Sequence, residues 1–500
     1  MFKARESSKE TPSMIMYEMG ILEGHFSDIV VHAFNSTFHL HRIILIQNPY
    51  FRKLLLGPWK ESKNNQKLVL SFNVNDSFMN YDAFKLVLGS IYGQQLNIKS
   101  DNVLSIFATA LYLQEEEIIQ ECVAFLLSSI HLDNIIRYLD FIECHYSGSY
   151  SDDIINACIL EICRIGTSIF KSEFWYHLNA KWIIMALKSN CFTCRSELER
   201  LKFISKILKT KSNFDSCKPE SLFCVEFEAI LLEDSGEIHD SYADEHTLVD
   251  IECVSDGEID IKKGNSKRHD IEQIKTELYK ELHLINLTVQ QLMDLENTFF
   301  PQDIILYHNW LKTKQIAYLN SFKADITSFG ELLVYDTKKD YEYIPKQNTI
   351  EIGNPTKYNI LQEKSYDYAP FPPFRFTVEF SISTIQLGQK QTSDPLYYAG
   401  SFWQVIIHLK GVGFSQEPKL SLYLQRIQCS SEESICDPRL QVKAWFQMFC
   451  YLKDCHLLES TVDSFSDKQS WGWSSYYLYQ ELEELKDETI CKCSVVLGYV

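Results

Sequence analysis

The sequence predicts an α+β multidomain protein: a small α+β domain, then an all-helical region, then an antiparallel β-sandwich. Three observations predict it. Two short alternating apolar runs near the N-terminus give way to apolar residues at helical spacing. A strongly acidic stretch then interrupts the helical signals. From Phe374 onward, aromatic and β-branched runs separated by turn residues replace the helical period. At 500 residues the chain is long enough for two or three separate cores.

The first domain opens with SDIVVHAF (Ser27 to Phe34) and a second run from Thr37 to Leu40, with Asn35-Ser36 between them as the predicted hairpin turn. Helical spacing follows in Phe84, Val87, Leu88 and Ile91, in Leu104, Phe107, Ala108 and Leu111, and in Ile118, Cys122, Phe125 and Leu126. Strands first and helices after describe an α+β domain ending near Ile130. From Leu132 to about Thr210 only helical periods recur, as in Ile155, Cys158, Ile159 and Ile162. Between Glu233 and Asp260 eleven residues are acidic and none is Lys or Arg, so self-repulsion and sparse apolar content predict a linker without a fixed fold. Helical signals resume from Ile271 to Asn297 and after Pro301. The C-terminal strands are FRFTVEF, the run from Tyr397 to Leu409, PKLSLYLQRI, QVKAWFQMFCYL and the final residues. The predicted divisions are 14–130, 131–232, 233–269, 270–344 and 345–500.

Charge bounds the function. With 48 Lys and Arg against 67 Asp and Glu, a net charge of −19 argues against affinity for phosphate backbones or anionic lipid, so proteins are the expected partners and nucleic acid is not. No run reaches the roughly 18 apolar residues of a membrane span, and the polar start MFKARESSKE predicts a cytoplasmic or nuclear chain without membrane insertion. Fifteen cysteines in this length are too dilute for a disulfide scaffold and are expected to be reduced thiols. Cys191 and Cys194 form a CxxC, and Cys491 and Cys493 a CxC in the alternating run TICKCSVVLGYV. The second pair reads as one face of a terminal strand, the alternative for both being ligands of a zinc ion. No nucleophile, base and oxyanion group can be assembled, so neither catalysis nor a cofactor is expected.

The stretch FHLHRIILIQNPYFRKLLLGPWKES, Phe38 to Ser62, ties the first domain to a family. FSDIVV, FHLHRIIL and NPYFRKLL, followed by GSIYG and ATALYLQEEEIIQEC, resemble the landmarks of a BTB/POZ domain over about Tyr17 to Ile130. The resemblance implies that His41 starts the helix behind the hairpin with its ring nitrogens satisfied. The alternative, a metal site with His39, lacks a third ligand. In BTB adaptors for cullin-3, a hydrophobic-x-Glu motif after this helix docks on the cullin; Trp59-Lys60-Glu61 stands there, and Trp59 and Glu61 are the implied contacts. The alternative is that Trp59 caps the domain's own core. Ile15, Met19 and Leu22 form an N-terminal stripe at i, i+4, i+7, and the resemblance implies a homodimer through it. An intramolecular cover for the BTB helices would leave the same stripe.

By its order in the chain the helical region resembles a BACK domain. PPFRFTVEF, YYAGSFWQVIIHLKG, LSLYLQRIQ, SWGWSS and CSVVLGYV resemble the C-terminal region of fungal germ cell-less-like BTB proteins, and YYAGSFW before a strand is also similar to the MATH/TRAF-like sandwich. These resemblances imply a protein-interaction adaptor, a cullin-3 substrate receptor in ubiquitin conjugation, whose β-domain recruits an unidentified substrate or tether. The alternative is a dimeric structural or transcriptional scaffold without cullin binding. Tyr397, Tyr398, Phe402 and Trp403 are the candidate wall for an extended peptide, with Trp471 and Trp473 as neighbours if they share the sheet; the alternative is that these aromatics are core. Tyr397 and Phe402 face opposite sides of an unbroken strand unless Gly400 introduces a bulge.

Overall fold

The computed structural model describes residues 17, 23, 25–57, 68–71, 76–212, 371–382, 385–412, 416–428, 436–451, 455–478 and 490–499, with isolated positions between 271 and 315. The acidic stretch 233–260 and the motif Trp59-Lys60-Glu61 lie outside the described residues, as do Ile15, Met19 and Leu22. The chain divides into two compact units, 1–161 and 162–500.

In the first unit, β1 (Ile29–Ala33) pairs antiparallel with β2 (Ser36–Leu40) and parallel with β3 (Leu68–Ser71). The hairpin turn is Phe34-Asn35, one residue earlier than predicted. Both residues have positive φ, 51° and 57°, as a two-residue turn matching strand twist requires, and Ser36 already pairs with Ala33. The helices are α1 (Arg42–Leu45), α2 (Pro49–Leu56), α3 (Tyr81–Ile91), α4 (Val103–Leu113), α5 (Glu116–Ser128) and α6 (Leu132–Cys144). The residues singled out by spacing supply the core: Phe84, Val87, Leu104, Phe107 and Leu126 are all buried. Helix α7 (Ser149–Ile165) carries the chain from one unit into the next.

The second unit begins with α8 (Ser172–His177), α9 (Ala180–Lys188) and α10 (Glu197–Ser212) and continues with nine strands. These are β4 (Phe374–Ser381), β5 (Lys390–Thr392), β6 (Leu396–Tyr398), β7 (Ser401–Val412), β8 (Gln416–Gln428), β9 (Gln441–Tyr451), β10 (Cys455–Ser466), β11 (Ser470–Leu478) and β12 (Ile490–Tyr499). They form two antiparallel sheets, in the orders β10-β9-β12-β4 and β11-β8-β7-β5 with β6 also on β7. Alternation sorts each strand: Phe376, Phe446, Met448, Val495 and Leu497 of one sheet and Val405, Ile407, Leu422 and Leu424 of the other share one hydrophobic core. As the CxC spacing predicts, Cys491 and Cys493 lie on one face of the last strand, both fully buried in that core.

The other face of the first sheet, beside the buried Phe449 and Val496, carries polar groups tied to the helices. Arg375 Nε donates to Glu197 Oε1 at 2.5 Å, Cys194 N–H to Thr377 Oγ1 at 2.9 Å, and Tyr451 O–H to the Cys191 carbonyl at 2.7 Å. Lys492 Nζ reaches Ser168 Oγ at 2.6 Å and the Arg164 carbonyl, at the C-terminal end of α7 where a cation is favoured, at 3.3 Å. Burial pushes the Glu197 carboxyl up, but the guanidiniums of Arg375 and Arg200 outweigh it and hold it at about 2. The His283 ring, whose Nδ1 donates to the Pro373 carbonyl at 2.8 Å, is held down at about 4 by burial and by Arg375.

Candidate functional site

Three surfaces bear on function, and the sequence motifs build the first. Asp28 Oδ1 accepts the Arg42 N–H at 2.8 Å, so the carboxylate before β1 caps the short helix α1. His41 is 3% exposed, and its backbone N–H donates to the Tyr92 hydroxyl at 2.8 Å. That hydroxyl lies 3.1 Å from His41 Nδ1, and Nε2, facing only the His25 carbonyl at 3.2 Å, is the donor there. Both ring nitrogens are therefore occupied, as the resemblance implied, and His39 contributes nothing to the arrangement. Burial pushes the Tyr92 phenol far above its ordinary range, which keeps its proton in place. Asn48 caps α2 by accepting the Phe51 N–H at 2.9 Å, while its amide donates to the Leu113 carbonyl at 2.8 Å and to Glu115 Oε1 at 2.5 Å. The Asn-Pro break is thus a knot joining α2 to the α4–α5 junction.

That knot positions an outward ridge. Tyr50 and Tyr112 lie with ring centroids 5.4 Å apart, Lys53 Nζ donates to Gln114 Oε1 at 2.8 Å, and Leu56 at the end of α2 is 65% exposed. Gly57 closes the helix, and Trp59-Lys60-Glu61 follow it in the chain beyond the described residues. Sequence reasoning missed Tyr50, Leu56 and Tyr112. The signal was present, because α2 buries Phe51 and Leu55 and so turns its other side outward.

The second surface lies near the N-terminus. The stripe Ile15, Met19 and Leu22 falls outside the described residues, but Tyr17 within it is buried, its ring 5.9 Å from Tyr92. Two large apolar side chains on segments next to the His25–His41 contact are open to solvent, Phe26 at 75% and Ile43 at 69% exposed.

The third is the β6–β7 hairpin. Ala399 (φ 49°) and Gly400 (φ 84°) form a two-residue turn, which makes Tyr397 and Phe402 cross-strand partners with rings 5.6 Å apart on one face. The interruption at Gly400 is therefore a chain reversal and not a bulge. Tyr398 and Trp403 turn the other way and belong to the core, not to a ligand wall. Tyr398 stacks on Phe374 at 5.1 Å and Trp403 packs against Phe465 at 5.1 Å, with no side-chain surface left to a partner. Trp471 and Trp473 share the sheet but sit on β11 at its opposite edge. Trp471 Nε1 donates to the Ser464 carbonyl at 2.7 Å and Trp473 packs on Phe446, so they are not neighbours of Tyr397. The edge beside the hairpin is cut into the three-residue strands β5 and β6, with Lys390 on one and Pro395 just before the other, features that oppose strand addition. What the hairpin offers is a face. It is held rigidly: Asp437 N–H donates to the Gly400 carbonyl at 2.8 Å, and the buried Arg426 donates to Ser401 Oγ at 2.9 Å and to the Arg439 carbonyl at 3.0 Å.

Among the described residues no three His, Cys, Asp or Glu side chains are grouped to hold a metal ion, and no helix is long and apolar enough to cross a membrane. Residues 20–130 match the family model of the BTB/POZ domain. The chain is 31% identical to human germ cell-less protein-like 2, over 28% of this chain and 26% of the relative. It is 29% identical to the germ cell-less protein of Drosophila melanogaster, over 27% and 23%. A mouse relative, kelch-like protein 28, is 23% identical over 37% of this chain and 31% of its own. The chain thus spans about a quarter of the length of the germ cell-less relatives it matches.

Proposed function

We propose that this chain, which carries a BTB/POZ domain and is related to the germ cell-less proteins, is a non-catalytic adaptor that docks on cullin-3 and recruits a protein target. A ligase supplied by other subunits then acts on the target through effective concentration. The observation that carries this reading is the exposed ridge of Leu56 with the Tyr50–Tyr112 pair, directly before Trp59-Lys60-Glu61 in the chain. A tryptophan anchor beside a carboxylate, next to apolar surface already open, is the composition of a binding hot spot. In this reading 131–232 is a BACK-like spacer and 345–500 a MATH/TRAF-like module that offers Tyr397 and Phe402 to the target. Co-purification with cullin-3 tests it. The double substitution Trp59→Ala with Glu61→Ala is expected to weaken the complex by at least about 2 kcal/mol, and equal binding by the folded variant sinks the proposal.

Phe26 and Ile43, large apolar side chains open to solvent, favour a homodimer, which suits the adaptor and the scaffold reading alike. The full chain at micromolar concentration is expected to scatter light as two copies. A dimer that never retains cullin-3 leaves the scaffold as the function.

A further inference from the structure

Three thiols line the core where the last strand passes between β9 and β4: Cys450, Cys491 and Cys493, each fully buried. In the ladder Cys450 lies opposite Cys493. Its sulfur, however, meets the diagonal neighbour: Cys450 Sγ and Cys491 Sγ are 3.0 Å apart. A disulfide holds its sulfurs about 2 Å apart, so closing this pair requires a shift of only roughly 1 Å between them. The pair also sits at a rim of the sheet. Cys450 is next to the last residue of β9 and Cys491 is the second residue of β12, following Ile490, which is 51% exposed. Strand ends open locally far more readily than the middle of a core, so a small oxidant reaches this pair by fraying rather than by global unfolding.

We propose that Cys450 and Cys491 form a reversible redox latch, closed by hydrogen peroxide and opened by a dithiol reductant, that fastens β12 to β9. In closure, one sulfur as its thiolate attacks a peroxide oxygen and the O–O bond breaks, giving a sulfenic acid and, with one proton, water. The second sulfur then attacks the sulfenic sulfur, the S–S bond forms, and the sulfenic oxygen leaves as a second water. Two thiols and one hydrogen peroxide become one disulfide and two waters. In opening, a dithiol returns two electrons and two protons through a mixed disulfide. Closure adds a covalent link between two strands that already pair side by side, in the sheet that does not carry the Tyr397–Phe402 face.

The test is a disulfide map of the full reduced chain after hydrogen peroxide, alkylation and digestion without reductant. The expected result is a Cys450–Cys491 linked peptide that dithiothreitol removes, with a higher melting temperature for the oxidised chain. Cys493→Ser is expected to keep the linkage and Cys491→Ser to lose it. A Cys450–Cys493 bond, or an unlinked pair at peroxide levels that already oxidise the exposed Cys144, overturns the proposal. If a serine variant fails to fold, the wild-type map alone decides.

Discussion

The two units use the same device, a long-range polar tie, and differ in whether its parts are visible in the sequence. In the BTB/POZ unit the ties join motif to motif: Asp28 to Arg42, 14 residues on, His41 to Tyr92, 51 on, and Asn48 to Glu115, 67 on. Each partner lies in a stretch that already stood out. In the second unit the ties run from Glu197 to Arg375 across 178 residues, Cys194 to Thr377 across 183 and Cys191 to Tyr451 across 260. Cys191 and Cys194 stand out only as a CxxC, and no pattern along the chain links any of these residues to its partner. A family motif is in part a record of which polar groups must meet inside, since a buried donor or acceptor left unpaired costs about 1–3 kcal/mol. Where no motif is known, the same necessity leaves no trace along the chain.

The largest expected effect would break the second set of ties. Glu197→Ala leaves Arg375 buried beside Arg200 without its carboxylate, and an unfolding curve is expected to show a loss of about 3–5 kcal/mol. Its pH counterpart has a definite sign. His283 is held at about 4 against an ordinary value of about 6.5, so between those values the unfolded chain binds the extra proton and stability falls as pH falls. Glu197, at about 2 against 4.5, continues the loss below pH 4.5. Melting temperature is therefore expected to drop progressively on acidification from 6.5, and the part below about 4, where His283 is already protonated in both states, is expected to shrink in Glu197→Gln. A flat profile over that range would show that these ties do not stabilise the second unit.

A smaller effect tests the first set. Asn48→Ala removes a cap and leaves the Leu113 carbonyl and Glu115 without their donor, and a loss of about 2–3 kcal/mol is expected in denaturant unfolding. Unchanged stability would mean that the Asn-Pro break matters only for its backbone conformation. The smallest effect is expected at the β6–β7 hairpin. Tyr397→Ala, on the outer face at 36% exposure, is expected to change stability by less than about 1 kcal/mol while weakening capture of the target. Trp403→Ala, in the core, is expected to cost about 3–5 kcal/mol. If the two variants lose stability equally, the outer face is structural and the contact with the target lies elsewhere.

How far the sequence reached follows from where the deciding forces act. Order along the chain, the strand and helix periods, and the satisfied state of His41 were all legible, because alternation, helical spacing and a dense motif are local properties. The position of the first turn was legible only to within one residue, since Phe34 tolerates the left-handed conformation by virtue of the hairpin and not of its own preference. The candidate wall was half legible. Parity sorted Tyr397 from Tyr398 and Phe402 from Trp403, but only the chain reversal at Ala399-Gly400 decided that Tyr397 joins Phe402 and that Tyr398 and Trp403 go to the core. Composition could not show that the helices α8 to α10 share a unit with the sheets. That follows from polar groups on the outer face of one sheet finding partners in α10 and the loop before it, and such pairings exist only once the chain has folded.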